Sequence, residues 1–376
     1  MQKKHSWLVL GIAVLFVLTI FLGGCGEETA SIVEEGADVE EVADAFQVTD
    51  LSGRTVEFSK PAEKVVAIGP GALRFVCYIT ADKVIGIEEL EKNSPTGRPY
   101  YTANISKLEG LPTIGQGGPQ TQPDAEKLVS LGPDVIFSCL TDQAQSDELQ
   151  AKTGIPVVVL DYGTASTFSK EVYDSLHLVG KVIGEEKRAQ EVVDYLESCK
   201  KDLNDRTVDI PEEDKPSVYV GGLGMQGVHG IESTAGEFPP FEAINAKNVV
   251  DETGKSGSMM IDKEKIVSWD PDILFMDSSG YELFKDDYQK NPAYYRSLSA
   301  VKNGQVYSMI PYNWYWTNIE IAVADAYYAG KVIYPEQFKD IDPIEKADEL
   351  YKFMVGKELY AEIAKDFIGF EQLSME

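Results

Sequence analysis

The chain has 376 residues, enough for two or three domains with buried cores and no need of disulfide staples. Hydrophobic residues make up 43% and charged residues 26%, ordinary globular values that exclude wholesale disorder, collagen-like repeats and a multi-span membrane protein. Its 34 basic and 62 acidic side chains leave a net charge of −28, a surface that repels nucleic acid and anionic lipid, so no nucleic-acid partner is expected.

The first segment reads as an address and an anchor. Lys3 and Lys4 precede an apolar run, Trp7 to Leu22, that ends in Leu22-Gly23-Gly24-Cys25. Small residues before a cysteine let the chain lie extended in a peptidase groove, and the thiol accepts a diacylglycerol, so residues 1–24 read as a lipoprotein signal peptide with Cys25 the lipidation site; the alternative is an uncleaved transmembrane anchor, since the run is long enough to span. Residues 27–45 carry eight acids, no Lys or Arg and no aromatic residue, a composition that cannot bury enough surface to fold. Residues 25–45 are therefore expected to be a flexible acidic tether, with the folded part extracytoplasmic and held at the cell membrane through the N-terminal lipid. Cys77, Cys139 and Cys199 are far apart and without CxxC spacing, which argues against a zinc ribbon, an iron–sulfur cluster or a disulfide framework.

From Phe46 a hairpin with its turn at Ser52-Gly53 leads through Pro61 into a strand at 64–69, with further strands expected at 84–88, 134–138 and 156–161. The most informative feature follows. Asp124 to Phe137 aligns with Asp262 to Phe275, 138 residues later, with eight of fourteen positions identical. Each copy reads as a short helix, a Pro-Asp turn and an apolar strand of the kind buried on both faces. A period this long means duplicated lobes rather than a solenoid of short repeats. Strands expected at 217–221, 248–251, 272–277 and 305–309 give the second lobe the same parts. The fold class is α/β: two Rossmann-like lobes with mainly parallel sheets, 46–166 and 207–376, joined by a long connecting helix within 167–206 that Gly184 divides. Helices at 343–355 and 358–367 are expected to pack back on the lobes. Such a stiff connector predicts small lobe motions.

Ligands of open α/β sheets sit beyond the carboxyl ends of the strands, so the loops there supply the candidates. Gly71 and Arg74 follow the 64–69 strand. Arg98, Tyr100 and Tyr101 lie near the centre of a long segment, 88–118, read as an exposed loop offering a guanidinium and phenol oxygens to an iron chelate. From the second lobe come His229, in a glycine-rich stretch, and the aromatic run Tyr312, Trp314 and Tyr315, with Trp316 the weakest candidate. Only three histidines exist, one of them in the signal peptide, so a bare Zn²⁺ or Mn²⁺ site with several imidazoles cannot be assembled; no metal is assigned directly to side chains. Gly222-x-Gly224-x-x-Gly227 matches a dinucleotide fingerprint but lacks the helix that must start within it. No catalytic signature is present, and neither enzyme activity nor a cofactor is expected.

The export signal, the acidic tether, the opening Val48-Thr-Asp50-Leu-Ser-Gly53-Arg54-Thr-Val56, the strand Lys64-Val-Val-Ala-Ile-Gly69 and two Glu-bearing helices before Pro-Asp form a combination over about 46–370. It resembles the periplasmic binding proteins of ABC importers for iron–siderophore complexes, haem and cobalamin. The resemblance implies a monomeric receptor that binds a metal chelate between its lobes and delivers it to an ABC permease, FecCD-like, with its ATPase. It also implies that Glu126 and Glu264 dock on arginines of that permease. A metal oxyanion such as molybdate or tungstate is the alternative cargo, and a surface sensor or adhesin on the same fold the alternative role.

Overall fold

The structure, a computed structural model, describes residues 45–374 apart from 95, 120–121, 140, 164–166 and 226. The segment expected to be a signal peptide, Cys25 and nearly all of the expected tether lie outside the described residues. In chain order the first half contains β1 (Phe46–Thr49), β2 (Thr55–Phe58), β3 (Val65–Ile68), α1 (Ala72–Ile79), β4 (Val84–Gly86), α2 (Glu89–Asn93), α3 (Pro99–Ala103), α4 (Ile105–Leu108), α5 (Ala125–Leu131), β5 (Val135–Cys139), α6 (Gln143–Thr153) and β6 (Val157–Leu160). Two helices follow, α7 (Lys170–Ile183) and α8 (Glu186–Thr207). The second half contains β7 (Ser217–Gly221), β8 (Ser233–Gly236), α9 (Pro239–Glu242), β9 (Lys247–Asn248), β10 (Gly257–Met260), α10 (Lys263–Trp269), β11 (Ile273–Asp277), α11 (Tyr281–Lys290), α12 (Pro292–Tyr295), α13 (Ser299–Lys302) and β12 (Val306–Met309). It closes with α14 (Ile319–Ile333), α15 (Pro343–Val355) and α16 (Tyr360–Asp366).

Two four-stranded parallel sheets carry the architecture, ordered β4-β3-β5-β6 and β12-β11-β7-β9. Numbered from the first strand of each lobe, both orders read 2-1-3-4, so the duplication inferred from the repeat extends to strand order. Every residue of β3, β5, β6 and β11 is buried, as strands covered by helices on both faces must be.

The two copies of the repeat occupy equivalent surroundings. Each helix ends on a residue in the left-handed region, Gly132 at φ 63° and Asp270 at φ 44°. Each Pro-Asp aspartate then clamps the first strand of its own sheet. The Asp134 carboxylate accepts the backbone N–H groups of Glu63 and Lys64 at 2.9 Å, and Asp272 accepts that of Ser217 at 2.8 Å. Their own N–H groups donate to Lys64 O and Ser217 O at 2.8 and 3.0 Å. The Asp in each copy thus fixes the register of two neighbouring strands.

Sheet edges are covered. The β1–β2 hairpin lies along β6, where Leu51 N–H donates to Val159 O and the buried Arg54 guanidinium donates to Val157 O at 2.8 Å and to Asp50 at 3.2 Å. The C-terminal segment covers β12 through Leu373 N–H to Val306 O.

The connector differs from a single rod. Gly184, at φ 73°, ends α7, and the 22-residue α8 alone runs on towards the second lobe, about 33 Å at 1.5 Å per residue. Two sequence expectations need correction, and one element was not expected. Residues 88–118 are not a long exposed loop but hold α2, α3 and α4, with Pro99 at the first turn of α3. The strand expected at 248–251 shrinks to Lys247–Asn248 followed by a 3₁₀ turn. The antiparallel pair β8–β10 was not foreseen.

Candidate functional site

The segment after β12, residues 310–318, is where the two lobes meet. Arg74, fully buried on α1, reaches across to it: its Nε donates to Asn318 Oδ1 at 3.0 Å, and Nη2 donates to Trp314 O at 3.2 Å and Tyr315 O at 3.1 Å. Nη1 donates to the Tyr162 hydroxyl at 3.1 Å, and the guanidinium lies 4.8 Å from the centre of the Tyr100 ring. Asn318 Nδ2 donates in turn to Gly97 O, Tyr312 O and Trp314 O. Tyr78 donates to Glu320 just beyond. The result is a latch of one guanidinium and one carboxamide that sets the path of the 312–317 segment.

A second contact joins the lobes beside it. Glu88 accepts Gly69 N–H at 3.0 Å and the Tyr315 hydroxyl at 2.9 Å, and that hydroxyl accepts Gly118 N–H at 3.0 Å. Burial pushes the Glu88 carboxyl up to about 7, against the opposing pull of the Gly69 and Tyr315 hydrogen bonds.

Several residues expected at the ligand are instead inside this framework. Arg98 is 3% exposed, donates to Glu91 at 2.9 Å and lies 4.3 Å from the Tyr315 ring centre. Tyr100 is buried and donates to the Glu91 carboxylate; Tyr101 is buried too. Gly71, at φ 88°, is packed so closely that a Cβ would come within 2.5 Å of the Tyr162 ring. Gly71, Arg74, Arg98, Tyr100 and Tyr101 are all buried, and the guanidinium of Arg74 and the hydroxyl of Tyr100 spend their hydrogen bonds on the protein, whereas Arg98 Nε has no partner among the described residues. Trp314 packs edge-on against Phe367 at 5.3 Å, and Tyr315 is taken up by the Glu88 contact. His229 is half-buried, its Nε2 3.0 Å from Met225 O, with no helix starting in the surrounding glycines.

What the latch leaves open is a cavity of about 680 Å³ between the lobes. Gly163, following β6, contributes from the first lobe. Tyr312, Asn313, Trp316 and Thr317 form one wall, and Gly257 and Ser258 on β10 with Ala235 on β8 form another. Glu237, Pro239, Glu242 and Ser256 complete the lining. Of the expected site residues Tyr312 lines the cavity, packed on Phe238 at 5.7 Å, and so does Trp316, the weakest aromatic candidate. Sequence reasoning missed Asn313, the β8–β10 pair and both glutamates; the only local sign was the pair of acids bracketing Pro239-Pro240.

Backbone conformation marks the same place. Non-glycine residues in the left-handed region number five among the described residues, and Glu237 (φ 49°) and Trp316 (φ 74°) line the cavity while Tyr315 (φ 55°) adjoins it. Such conformations cost about 1–3 kcal/mol each and persist where the surroundings impose them, often at binding sites.

The two repeat glutamates sit elsewhere. Glu126 on α5 and Glu264 on α10 are exposed and without an ion-pair partner among the described residues. One turn further along each helix stands an exposed valine, Val129 and Val267, at matching positions of the repeat.

The family model described as "Periplasmic binding protein" matches residues 81–312. The chain is 23% identical over 303 residues to an uncharacterised ABC transporter substrate-binding lipoprotein, YvrC, of Bacillus subtilis, covering 80% of this chain and 88% of that one. It is 25% identical to the Fe(3+)-citrate-binding protein YfmC of the same organism, covering 82% and 90%. The fold is similar to that of the Haemophilus influenzae molybdate-binding protein MolA in its molybdate-bound structure, with a TM-score of 0.64 at 19% identity, over 83% of this chain and 98% of that one. With the match covering more than half of the chain and reaching into both lobes, this chain belongs to the periplasmic binding proteins, the extracytoplasmic substrate-binding components of ABC importers, which bind solutes and are not enzymes.

Proposed function

We propose that the protein captures a chelated metal, a ferric siderophore or related tetrapyrrole complex, in the cavity beside Tyr312 and Trp316 and hands it to a FecCD-like permease. In this reading Cys25 carries the lipid, residues 25–45 give the lobes reach from the membrane, and Glu126 and Glu264 meet the permease. The observation that carries it is the pair of exposed, unpaired carboxylates at equivalent points of a duplicated helix–strand unit, one on each lobe. Matching charges on pseudo-symmetric lobes suit two basic patches on a two-fold partner, giving orientation and association rate more than affinity. A cavity of about 680 Å³ is of the size that encloses small-molecule ligands, and its rings suit a bulky complex. Among the described residues no group of three or more His, Cys, Asp or Glu is arranged to hold a metal ion, which favours a cargo that brings its own donor atoms.

The test is uptake by whole cells carrying the Glu126→Lys, Glu264→Lys double variant. Transport should be lost while the purified protein binds cargo with unchanged affinity. Normal transport by the double variant would remove the docking role.

A further inference from the structure

The charge of the cavity lining says something more about the cargo, and this rests on the reading of the cavity as the binding site. Among the described residues Glu237 and Glu242 are the only carboxylates in the lining, whose other members are two rings, one of them the Tyr312 phenol, hydroxyls, one amide and apolar atoms. No Lys, Arg or His is among them; Lys255, next to Ser256 in sequence, is exposed and is not part of the lining. Residues 164–166, which follow Gly163 and lie outside the described residues, are Thr-Ala-Ser and carry no charge. The arginines that could have served an anion, Arg74 and Arg98, are locked in the latch and in the Glu91 pair.

The two carboxylates are exposed at the cavity wall and open to a partner from solution. Neither Glu237 nor Glu242 has an ion-pair or side-chain hydrogen-bond partner among the described residues. Partial burial, together with the neighbouring charges of Asp251 and Glu237, holds the Glu242 carboxyl above its ordinary range. Asp251 is occupied already, accepting Glu237 N–H at 2.7 Å and Asn248 Nδ2 at 3.0 Å. Like charges gathered at a cavity wall repel one another and an incoming anion, and both repulsions become attractions for a cation. Tyr312 and Trp316 add π faces, which attract a cation as well as apolar surface. At long range the net charge of −28 acts in the same direction.

We infer that the cavity selects a metal complex carrying net positive charge, such as a neutral chelate bearing a protonated pendant amine, over anionic chelates and metal oxyanions. Glu237 and Glu242 are the selecting residues and the two rings hold the body of the complex. The inference departs from what two similar proteins are named for, because ferric citrate complexes and molybdate are anions.

The test uses the full chain and four probes: the ferric complex of desferrioxamine B, which bears one protonated amine; its N-acetylated, neutral counterpart; a ferric tris-catecholate, which is trianionic; and molybdate. Binding is read by quenching of tryptophan fluorescence and by calorimetry. The expected result is affinity about tenfold higher for the cationic complex than for the acetylated one, with the catecholate and molybdate weaker still. In the Glu237→Gln, Glu242→Gln double variant, the first two complexes should bind alike while the neutral one keeps its wild-type affinity. Tightest binding by the catecholate or molybdate overturns the charge assignment and leaves a binding cavity in place. A cationic preference that survives the double variant overturns the role of the two glutamates. No binding of any ferric complex, at any charge, overturns chelate capture itself and this inference with it.

Discussion

Replacing Arg74 by methionine keeps the length and most of the apolar volume of the side chain and deletes the guanidinium that joins the lobes. Four acceptors lose a donor, but not equally. The Tyr162 hydroxyl still donates to Gly71 O, and Trp314 O still accepts from Asn318 Nδ2. Among the described residues Tyr315 O and Asn318 Oδ1 have no other protein donor, so one half-buried and one buried acceptor are orphaned. At about 1–3 kcal/mol for each, the loss is about 4 kcal/mol, a large share of the 5–15 kcal/mol typical of a folded protein. Lysine is not a conservative alternative, since a single ammonium cannot reach acceptors spread around a planar fork; its loss should fall between wild type and methionine. Urea unfolding followed by tryptophan fluorescence is the assay, with Trp314 and Trp316 as reporters inside the affected segment. Cargo affinity should fall in parallel, because the latch sets the Tyr312–Trp316 wall. Unfolding of Arg74→Met within about 1 kcal/mol of wild type, with unchanged cargo affinity, would refute the latch.

Glu88 makes stability depend on pH. Its native pKa of about 7 lies above the ordinary value of 4.5, so the folded state holds a proton that the unfolded chain releases; its contribution is full below about pH 4.5 and is lost as pH rises through 7. The span corresponds to about 3 kcal/mol, and Glu88→Gln should flatten that part of the profile in denaturation measured between pH 4.5 and 8, leaving the similar slope of the buried Asp277, also pushed up to about 7. Trp316→Ala should weaken cargo binding about tenfold or more by calorimetry while leaving urea stability nearly intact, since the ring is only half-buried; unchanged binding would move the cargo out of this cavity. Val129→Asp with Val267→Asp should reduce uptake without touching cargo affinity, because both stand one turn from Glu126 and Glu264, the residues proposed to dock; undiminished uptake would confine docking to the charges.

Much of the fold was legible because the strands are written as unbroken apolar runs and because the repeat places two of them at once. Even the equivalence of Glu126 and Glu264 follows from alignment alone. The site was less legible, for physical reasons. Arg74 and Asn318 are 244 residues apart, and nothing local distinguishes an arginine that will bridge two lobes from one that will meet a ligand. Arg98 and Tyr100 look like loop residues until Glu91 is seen buried beside them. In the aromatic run, the left-handed turns at Tyr315 and Trp316 redirect the side chains, so Trp314 and Tyr315 go to the framework and Trp316 reaches the cavity. The β8–β10 wall is four residues a side, rich in Gly and Ser, and has no alternation to read.

The most direct test of chelate capture is native mass spectrometry with metal analysis on protein purified from its own source after iron-limited growth. The account predicts one bound small molecule per chain whose mass includes a metal with its organic ligand. A metal-free solute, a bare oxyanion, or a chain carrying nothing under those conditions would contradict it.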